Sequence, residues 1–205
     1  MDIAVLDKNF AKSKIKETDI VWRNANEPPF QIRGVFYDAD DGCYRRMPKE
    51  SSSKINWGID WMARATVGGR VRFITDSPYV AIKAVASPIC YSANGTLIGR
   101  GGISVYQDGT YCGHVSPYPE DIEASKTNKD GKMYFDGIVH AINGGLWQAE
   151  IYLPLYNDVL YDLYVGLKSG AQVQQPNPYV YDDKPIVFYG SSITQGGCAS
   201  RPGND

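Results

Sequence analysis

The chain contains 205 residues, of which 43% are hydrophobic and 21% are charged, and its formal net charge is −2. This composition is that of an ordinary globular protein, and it excludes a disordered tail, a collagen-like fibre and a coiled coil. The 21 basic and 23 acidic residues nearly balance, so the charge predicts no nucleic-acid partner. No apolar run approaches the roughly 18–20 residues that span a bilayer, so we also expect no membrane partner.

The N-terminal residues read MDIAVLDKNFAKSKIKETD and lack the basic start and apolar stretch of a signal peptide. This pattern favours a cytoplasmic protein. A secreted or periplasmic protein would show the same sequence if a leader had already been removed, so that alternative stays open.

Between residue 20 and about residue 175, short apolar, β-branched and aromatic runs alternate with clusters of Gly, Pro, Asp and Asn. This spacing is typical of β-sheet proteins. The predicted strands cover residues 34–37, 70–75, 79–86, 102–107, 110–115, 133–142, 147–153 and 160–167. The pair Asp108-Gly109, with apolar residues on both sides, predicts a hairpin with a type I′ turn. About eight strands with short turns predict a mainly β fold, an antiparallel, jelly-roll-like β-sandwich.

One stretch departs from this pattern. The serines at 51–53 are followed by KINWGIDWMARAT, which predicts a helix with Ser53 as its N-cap. Trp57 and Trp61 are four residues apart on this helix and could stack on a sugar. We expect them instead to pack on the sandwich.

The cysteines contain no CxxC pair, which excludes zinc-ribbon and thioredoxin motifs. We expect buried thiols, with a disulfide across adjacent strands as the alternative for Cys90 and Cys112 in an oxidising compartment. The full set is Cys43, Cys90, Cys112 and Cys198.

One acidic turn is a weak candidate for a calcium loop. It lacks the complete spacing and the distal glutamate of such a loop, so we expect a solvated turn. Its residues are Asp38, Asp40, Asp41 and Gly42.

The character of the sequence changes after residue 168. Residues 171–184, AQVQQPNPYVYDDK, carry two prolines without apolar periodicity and predict a linker. The continuous apolar run at 186–189 is typical of a buried strand in a parallel sheet. We therefore predict a sandwich domain at 1–170, a linker at 171–184 and the start of a second, α/β domain at 185–205.

The apolar run leads directly into Gly190-Ser191-Ser192-Ile193-Thr194. A serine at a sharp strand-to-helix turn exposes its hydroxyl, and free N–H groups at a helix start can stabilise an oxyanion. From the pattern alone, a helix cap is the alternative.

This segment resembles block I of the GDSL/SGNH hydrolases, G-D-S-[IL]-T, with Ser191 in place of the aspartate. The longer string FYGSSITQGGCASRPG is similar to a two-domain branch in which a β-sandwich precedes the catalytic domain. The stretches TDSPYVAIKA and EIYLPLYNDVLYDLYVGL are similar to that sandwich.

The resemblance implies that 185–205 begins a flavodoxin-like α/β domain, with Ser192 as nucleophile and its own backbone N–H as an oxyanion donor. It implies hydrolysis of a small ester or an acetylated carbohydrate through an acyl-serine, without a metal or organic cofactor. It also implies that the sandwich has a partner, its own C-terminal catalytic domain.

The family's catalytic Asp and His, in a D-x-x-H block, cannot be placed in this sequence. His114 and His140 are expected to be structural, and the terminal Gly-Asn-Asp at 203–205 is expected to lie in the loop after block I. We therefore expect the chain to be truncated 13 residues after Ser192 and to be inactive by itself. A carbohydrate-binding module and a purely structural sandwich are the alternatives.

Overall fold

A computed structural model describes residues 14–89, 94–156, 159–179 and 187–204. In these ranges the strands are β1 (Ile20–Asn24), β2 (Gln31–Arg33), β3 (Phe36–Asp38), β4 (Cys43–Arg45), β5 (Arg70–Thr75), β6 (Tyr79–Ala86), β7 (Ile103–Gln107), β8 (Thr110–Val115), β9 (Met133–His140), β10 (Trp147–Tyr152), β11 (Leu160–Lys168) and β12 (Val173–Gln174). The helices are α1 (Lys49–Ile55), α2 (Trp57–Met62), α3 (Leu97–Gly101) and α4 (Pro119–Ser125). None of these helices has the length and apolarity to cross a bilayer.

The strands form two antiparallel sheets and a hairpin. The first sheet has the order β1-β11-β6-β9, and the second has the order β12-β5-β10-β7-β8, with β2 also paired to β5. Side chains from both sheets share one apolar core, whose fully buried members include Phe73, Ile82, Ile103, Ile151 and Leu163. Burial of each such side chain is worth about 1.5–3 kcal/mol, so this core holds the sheets together. The predicted antiparallel β-sandwich is confirmed.

Three strand predictions coincide with the structure, and the other five differ from it at one or both ends. The ranges 70–75, 79–86 and 110–115 are β5, β6 and β8. Asp108 (φ +49°) and Gly109 (φ +80°) form the turn between β7 and β8, with the two positive φ angles of a type I′ turn. The predicted strand at 34–37 begins too early, because Gly34 (φ +77°) lies in the turn that separates β2 from β3.

Gly34 is also a point of close backbone approach. A Cβ there would collide with the carbonyl of Gly68, and its φ is strained for any L side chain. We expect Gly34→Ala to lower the free energy of unfolding, measured in urea, by about 2–3 kcal/mol. Gly42 (φ +64°) is the matched control. A Cβ there meets nothing within 4 Å, so Gly42→Ala should cost only about 1 kcal/mol. Equal losses would contradict the close approach.

The helical region differs from its prediction. A single helix capped by Ser53 is wrong: α1 begins at Lys49, so Ser53 lies inside it, and α2 begins only after Asn56. Asn56 has an extended backbone (φ −170°), and its side-chain oxygen accepts a hydrogen bond from the Ile59 N–H at 2.9 Å. Asparagine favours such a cap over a helix interior because its side chain competes for backbone hydrogen bonds.

The two tryptophans of α2 are more exposed than predicted. Trp57 is 83% exposed and Trp61 is 44% exposed. The prediction that both pack on the sandwich is therefore wrong for Trp57. The whole helix shares this exposure, because none of the six residues of α2 is buried.

The acidic turn at 38–42 is not solvated throughout. The Asp38 carboxylate accepts the backbone N–H groups of Asp40 (3.1 Å) and Asp41 (3.0 Å). The Asp41 carboxylate itself bonds the buried guanidinium of Arg45. The predicted solvated turn is wrong for Asp41, because its two carboxylate oxygens pair with the Arg45 guanidinium and the Lys49 ammonium.

Arg45 is fully buried and ties the β3–β4 hairpin to both helices. Besides Asp41, its guanidinium donates to Asp60 Oδ1 (2.5 Å) and to Ser52 Oγ (2.9 Å). Asp41 also accepts the Lys49 ammonium at 2.7 Å. The Ser52 hydroxyl and the Arg45 guanidinium together lower the pKa of Asp60 to about 2. The network therefore holds its carboxylates in the charged form at neutral pH.

The cysteines agree only in part with the expectation of buried thiols. Cys43 is buried, and burial raises its pKa to about 11. Cys112 is half-buried, Cys198 is exposed, and both are free thiols. Cys90, and with it the alternative of a disulfide to Cys112, lies outside the described residues.

The chain after β11 returns to the second sheet. Within the predicted linker, β12 pairs with β5. Further on, the ring of Tyr179 lies 3.9 Å from the Arg72 guanidinium, which also donates to the Asn177 carbonyl at 3.1 Å. The linker prediction is therefore wrong for 173–174, which add a strand to a sheet edge.

The predicted buried strand at 186–189 is wrong for the three residues that the structure describes. Val187, Phe188 and Tyr189 form no strand and are 81%, 80% and 99% exposed. A parallel strand is defined by hydrogen bonds to its neighbours, and none of the described strands pairs with this segment. Residue 186 itself lies outside the described ranges.

Candidate active site

Ser192 lies in a run of tight turns at residues 191–198 and is exposed to solvent. The Gln195 N–H donates to the Ser191 carbonyl at 3.1 Å, and the Gly197 N–H donates to the Ser192 carbonyl at 2.7 Å. These bonds fold the chain back on itself directly after Ser192. The sequence predicts a strand-to-helix turn here, and the described residues form consecutive turns instead of a regular helix.

Gly190, the first residue of the motif, has a steric role. A Cβ at this position would collide with the side chain of Thr194, which folds back over it. Only glycine leaves room for this arrangement. The spacing of glycine and threonine in the motif therefore follows from the tightness of the turn that presents Ser192.

Two hydrogen bonds of opposite direction join this turn to the sandwich. The Tyr156 hydroxyl donates to the Ser192 carbonyl at 2.9 Å. The Gln195 side-chain amide donates to the Leu155 carbonyl at 3.0 Å. Neither Tyr156 nor Gln195 is recognisable as a site residue from the sequence pattern, although Gln195 belongs to the string FYGSSITQGGCASRPG.

A cavity of about 180 Å³ lies beside these contacts. Its walls are largely apolar. The sandwich contributes Trp61, Met62, Ala65 and Tyr156, and the turn that carries Ser192 contributes Gln195. Burial is the first cause of the raised pKa of Tyr156, which therefore stays protonated and can donate at neutral pH. The cavity is large enough for a small apolar group next to the turn that carries Ser192.

Residues 199–204 lie against the edge strand β8 and its neighbour β7. The Arg201 guanidinium is 4.0 Å from the ring centre of Tyr111, and a Cβ on Gly203 would lie 2.7 Å from the Tyr106 hydroxyl oxygen. The Ala199 carbonyl lies against α3, where a Cβ on Gly99 would collide with it. The tail is thus packed on the sandwich at several points.

Neither histidine contacts Ser192 in the described part of the chain. His114 Nδ1 lies 2.7 Å from the Tyr111 hydroxyl, and burial together with the charge of Arg201 lowers its pKa. His140 packs against the ring of Tyr79, with 6.2 Å between ring centres. Each histidine therefore contacts a tyrosine of the sandwich.

Among the residues that the structure describes, no three His, Cys, Asp or Glu side chains come together so that they could bind a metal ion. The described side chains that contact or line this turn are mainly aromatic, amide and apolar, with the Arg100 guanidinium 5.9 Å from the ring centre of Tyr156. This arrangement presents an exposed serine hydroxyl on a turn that is hydrogen-bonded to the sandwich.

Models of known protein families match both the sandwich and the segment that contains Ser192. The family model GxDLY, described as the N-terminus of SGNH-hydrolase-type esterases, matches residues 20–173, which is more than half of the chain. The chain belongs to this esterase family. A second model, of the GDSL-like lipase/acylhydrolase family, matches residues 183–204, a range that includes Ser192.

The pattern in the name GxDLY occurs here as Leu160-Tyr161-Asp162-Leu163-Tyr164, with leucine for the glycine. The pairing of β11 with β6 shifts register between Leu160 and Asp162, as in a β-bulge. Burial first, and then the charge of Asp162, raises the pKa of Tyr44. The motif therefore lies next to the β3–β4 hairpin, to which Tyr44 belongs.

Two solved structures are similar to this chain. A protein of Bacteroides ovatus ATCC 8483, described as a GDSL-like lipase, has a TM-score of 0.71 and 23% identity, over 90% of this chain and 50% of that one. SsfX3, a salicylyl-acyltransferase from a tetracycline biosynthetic pathway, has a TM-score of 0.56 and 19% identity, over 80% and 44%. The chain thus spans about half the length of these structures. No curated protein matches it.

Proposed function

We propose that this chain is the accessory β-sandwich and the nucleophile segment of a serine ester hydrolase. The observation that carries the proposal is an exposed serine, Ser192, on a braced turn inside the segment that the GDSL-like family model matches. The Ser192 hydroxyl attacks the ester carbonyl while a base takes its proton. The alcohol leaves with that proton, and water then releases the acid from the acyl-serine.

In this proposal the sandwich extends through β12 (Val173–Gln174), the residues from there to 184 connect it to the next domain, and 185–205 begin the catalytic domain. The Ser192 backbone N–H serves as one oxyanion donor. The base and the acidic residue that orients it are supplied by a C-terminal catalytic domain outside these 205 residues, so the chain alone is inactive. The mechanism requires no metal or organic cofactor, because the serine and its base carry every proton transfer.

The proposed substrate is a small ester or an acetylated carbohydrate. The cavity between α2 and the Ser192 turn supports a role for the sandwich in bounding the substrate site, since Trp61 and Met62 form one wall of it. Its volume of about 180 Å³ suits a short acyl or alcohol group better than a long chain.

A carbohydrate-binding role without catalysis is the second candidate. The high exposure of Trp57 favours it, because an exposed indole face stacks well on a sugar ring. The two candidates differ in what they require of Ser192, which is essential for hydrolysis and irrelevant to stacking.

A covalent probe tests the proposal. In the parent protein that contains both domains, a fluorophosphonate should add one adduct per chain, and mass spectrometry should locate it on Ser192. The adjacent Ser191→Ala variant should label normally and Ser192→Ala should not. An adduct on another serine would contradict the assignment. Glycan binding by the chain, with no labelling of the parent, would favour the second candidate.

A further inference from the structure

Tyr156 is placed by the sandwich independently of the turn that it contacts. It lies in the loop after β10, and its backbone N–H donates to the Arg100 carbonyl at 2.9 Å. Two residues earlier, the Pro154 carbonyl accepts the Thr66 hydroxyl at 2.9 Å. The loop is therefore tied to the body of the sandwich at two points, and the Tyr156 hydroxyl is presented from a fixed support.

The acceptor of that hydroxyl is the carbonyl of Ser192 itself. This oxygen receives the Tyr156 O–H at 2.9 Å and the Gly197 N–H at 2.7 Å, so two donors saturate its two lone pairs. Both bonds restrain the peptide plane that follows Ser192. Because that plane shares the Cα atom of Ser192, restraining it also restrains the direction of the serine side chain relative to the sandwich.

Two further residues make the contact specific. The Gln195 amide returns a hydrogen bond from the turn to the Leu155 carbonyl at 3.0 Å, next to Tyr156. At Gly197, a Cβ would lie 2.8 Å from the Ser192 carbonyl oxygen and 3.1 Å from the Tyr156 hydroxyl oxygen. A side chain there would crowd both partners of the bond. The Gln195-Gly196-Gly197 sequence therefore suits a turn that is held by hydrogen bonds from the sandwich.

We propose that Tyr156 is a positioning residue for the nucleophile, through the hydroxyl–carbonyl contact between Tyr156 and Ser192. The proposal rests on the proposed function of Ser192 as nucleophile. Tyr156 orients the attacking hydroxyl through the backbone of Ser192 and does not itself touch the reacting atoms. Small losses of alignment at a nucleophile lower the rate of its attack without changing how substrate binds.

The contact is first tested in the 205-residue chain itself by Tyr156→Phe, which removes only the hydroxyl. Amide hydrogen exchange at residues 195–197, measured by mass spectrometry, should become about three- to tenfold faster, the effect of losing one net hydrogen bond. Tyr152→Phe is the matched control, because its hydroxyl bonds Arg70 (3.2 Å) within the sandwich. Unchanged exchange in Tyr156→Phe would overturn the contact.

The positioning role is tested in the parent protein by the rate of fluorophosphonate labelling. Tyr156→Phe should lower the labelling rate constant and kcat by about three- to tenfold, with KM and the final number of labelled sites unchanged. A normal rate constant with fewer labelled sites would indicate a purely structural role and overturn the proposal, as would equal rates for Tyr156→Phe and Tyr152→Phe. Labelling that persists in Ser192→Ala would refute the proposed function instead, and with it the role of Tyr156.

Discussion

Ser192→Ala in the parent protein is expected to lower kcat for an acetyl ester by about 10⁴- to 10⁶-fold, with little change in KM. The reason is that the hydroxyl forms the covalent bond and contributes almost nothing to ground-state binding. What remains should be the small rate that the oxyanion donors and substrate binding supply without a nucleophile. A chromogenic acetyl ester, followed by absorbance, measures both constants.

Ser191 supplies the control for this experiment. It is the adjacent residue, and the role it has in the turn uses its backbone carbonyl, which accepts the Gln195 N–H. Ser191→Ala keeps that carbonyl, so its kcat should stay within about threefold of the unmodified protein. Turnover that survives Ser192→Ala but falls in Ser191→Ala would mean that the family motif assigns the wrong serine.

Arg45→Ala is expected to produce the largest loss of stability, about 3–5 kcal/mol in the free energy of unfolding. The substitution leaves the carboxylates of Asp41 and Asp60 half-buried without the guanidinium that pairs with both. Lys54→Ala is the control, because it breaks a pair with Glu50 in which both side chains are mostly exposed. That loss should stay within about 0.5 kcal/mol. Urea unfolding at pH 7 measures both.

The same loss should depend on pH. The pKa of Asp60 in the folded chain is about 2, below the ordinary value of about 3.9 in an unfolded chain. Its contribution to stability is therefore complete above about pH 5 and declines as pH falls towards 2. The difference between Arg45→Ala and the unmodified chain should shrink over the same range. A difference that stays constant down to pH 2 would argue against the ion pairs as its cause.

The sandwich was largely predictable because its strands are long and their chemistry is local. β5, β6 and β8 are rich in β-branched and apolar residues, and Asp108-Gly109 determines its own turn geometry. The helical region was less predictable. The break at Asn56 depends on competition between a side-chain cap and a continuous helix, and the periodicity of apolar residues is similar in the two cases.

The candidate site also contains one residue that the sequence predicts and one that it does not. Ser192 was identifiable because its motif is contiguous. Tyr156 was not, because its partner lies 36 residues away in sequence and only the folded chain brings the two together. The burial of Arg45 was not predictable for a related reason, because a charged residue is ordinarily exposed. Its burial depends on hydrogen bonds to Asp41, Ser52 and Asp60 that form only in the folded chain.

The exposed run at 187–189 has a practical consequence for the solution behaviour of the chain. Val187, Phe188 and Tyr189 are uncharged, favour β structure and stand open to solvent. An open, uncharged stretch of this kind is a template for strand pairing with a second molecule. We therefore expect these 205 residues to self-associate through this stretch at high concentration, and we expect less association when another surface covers it.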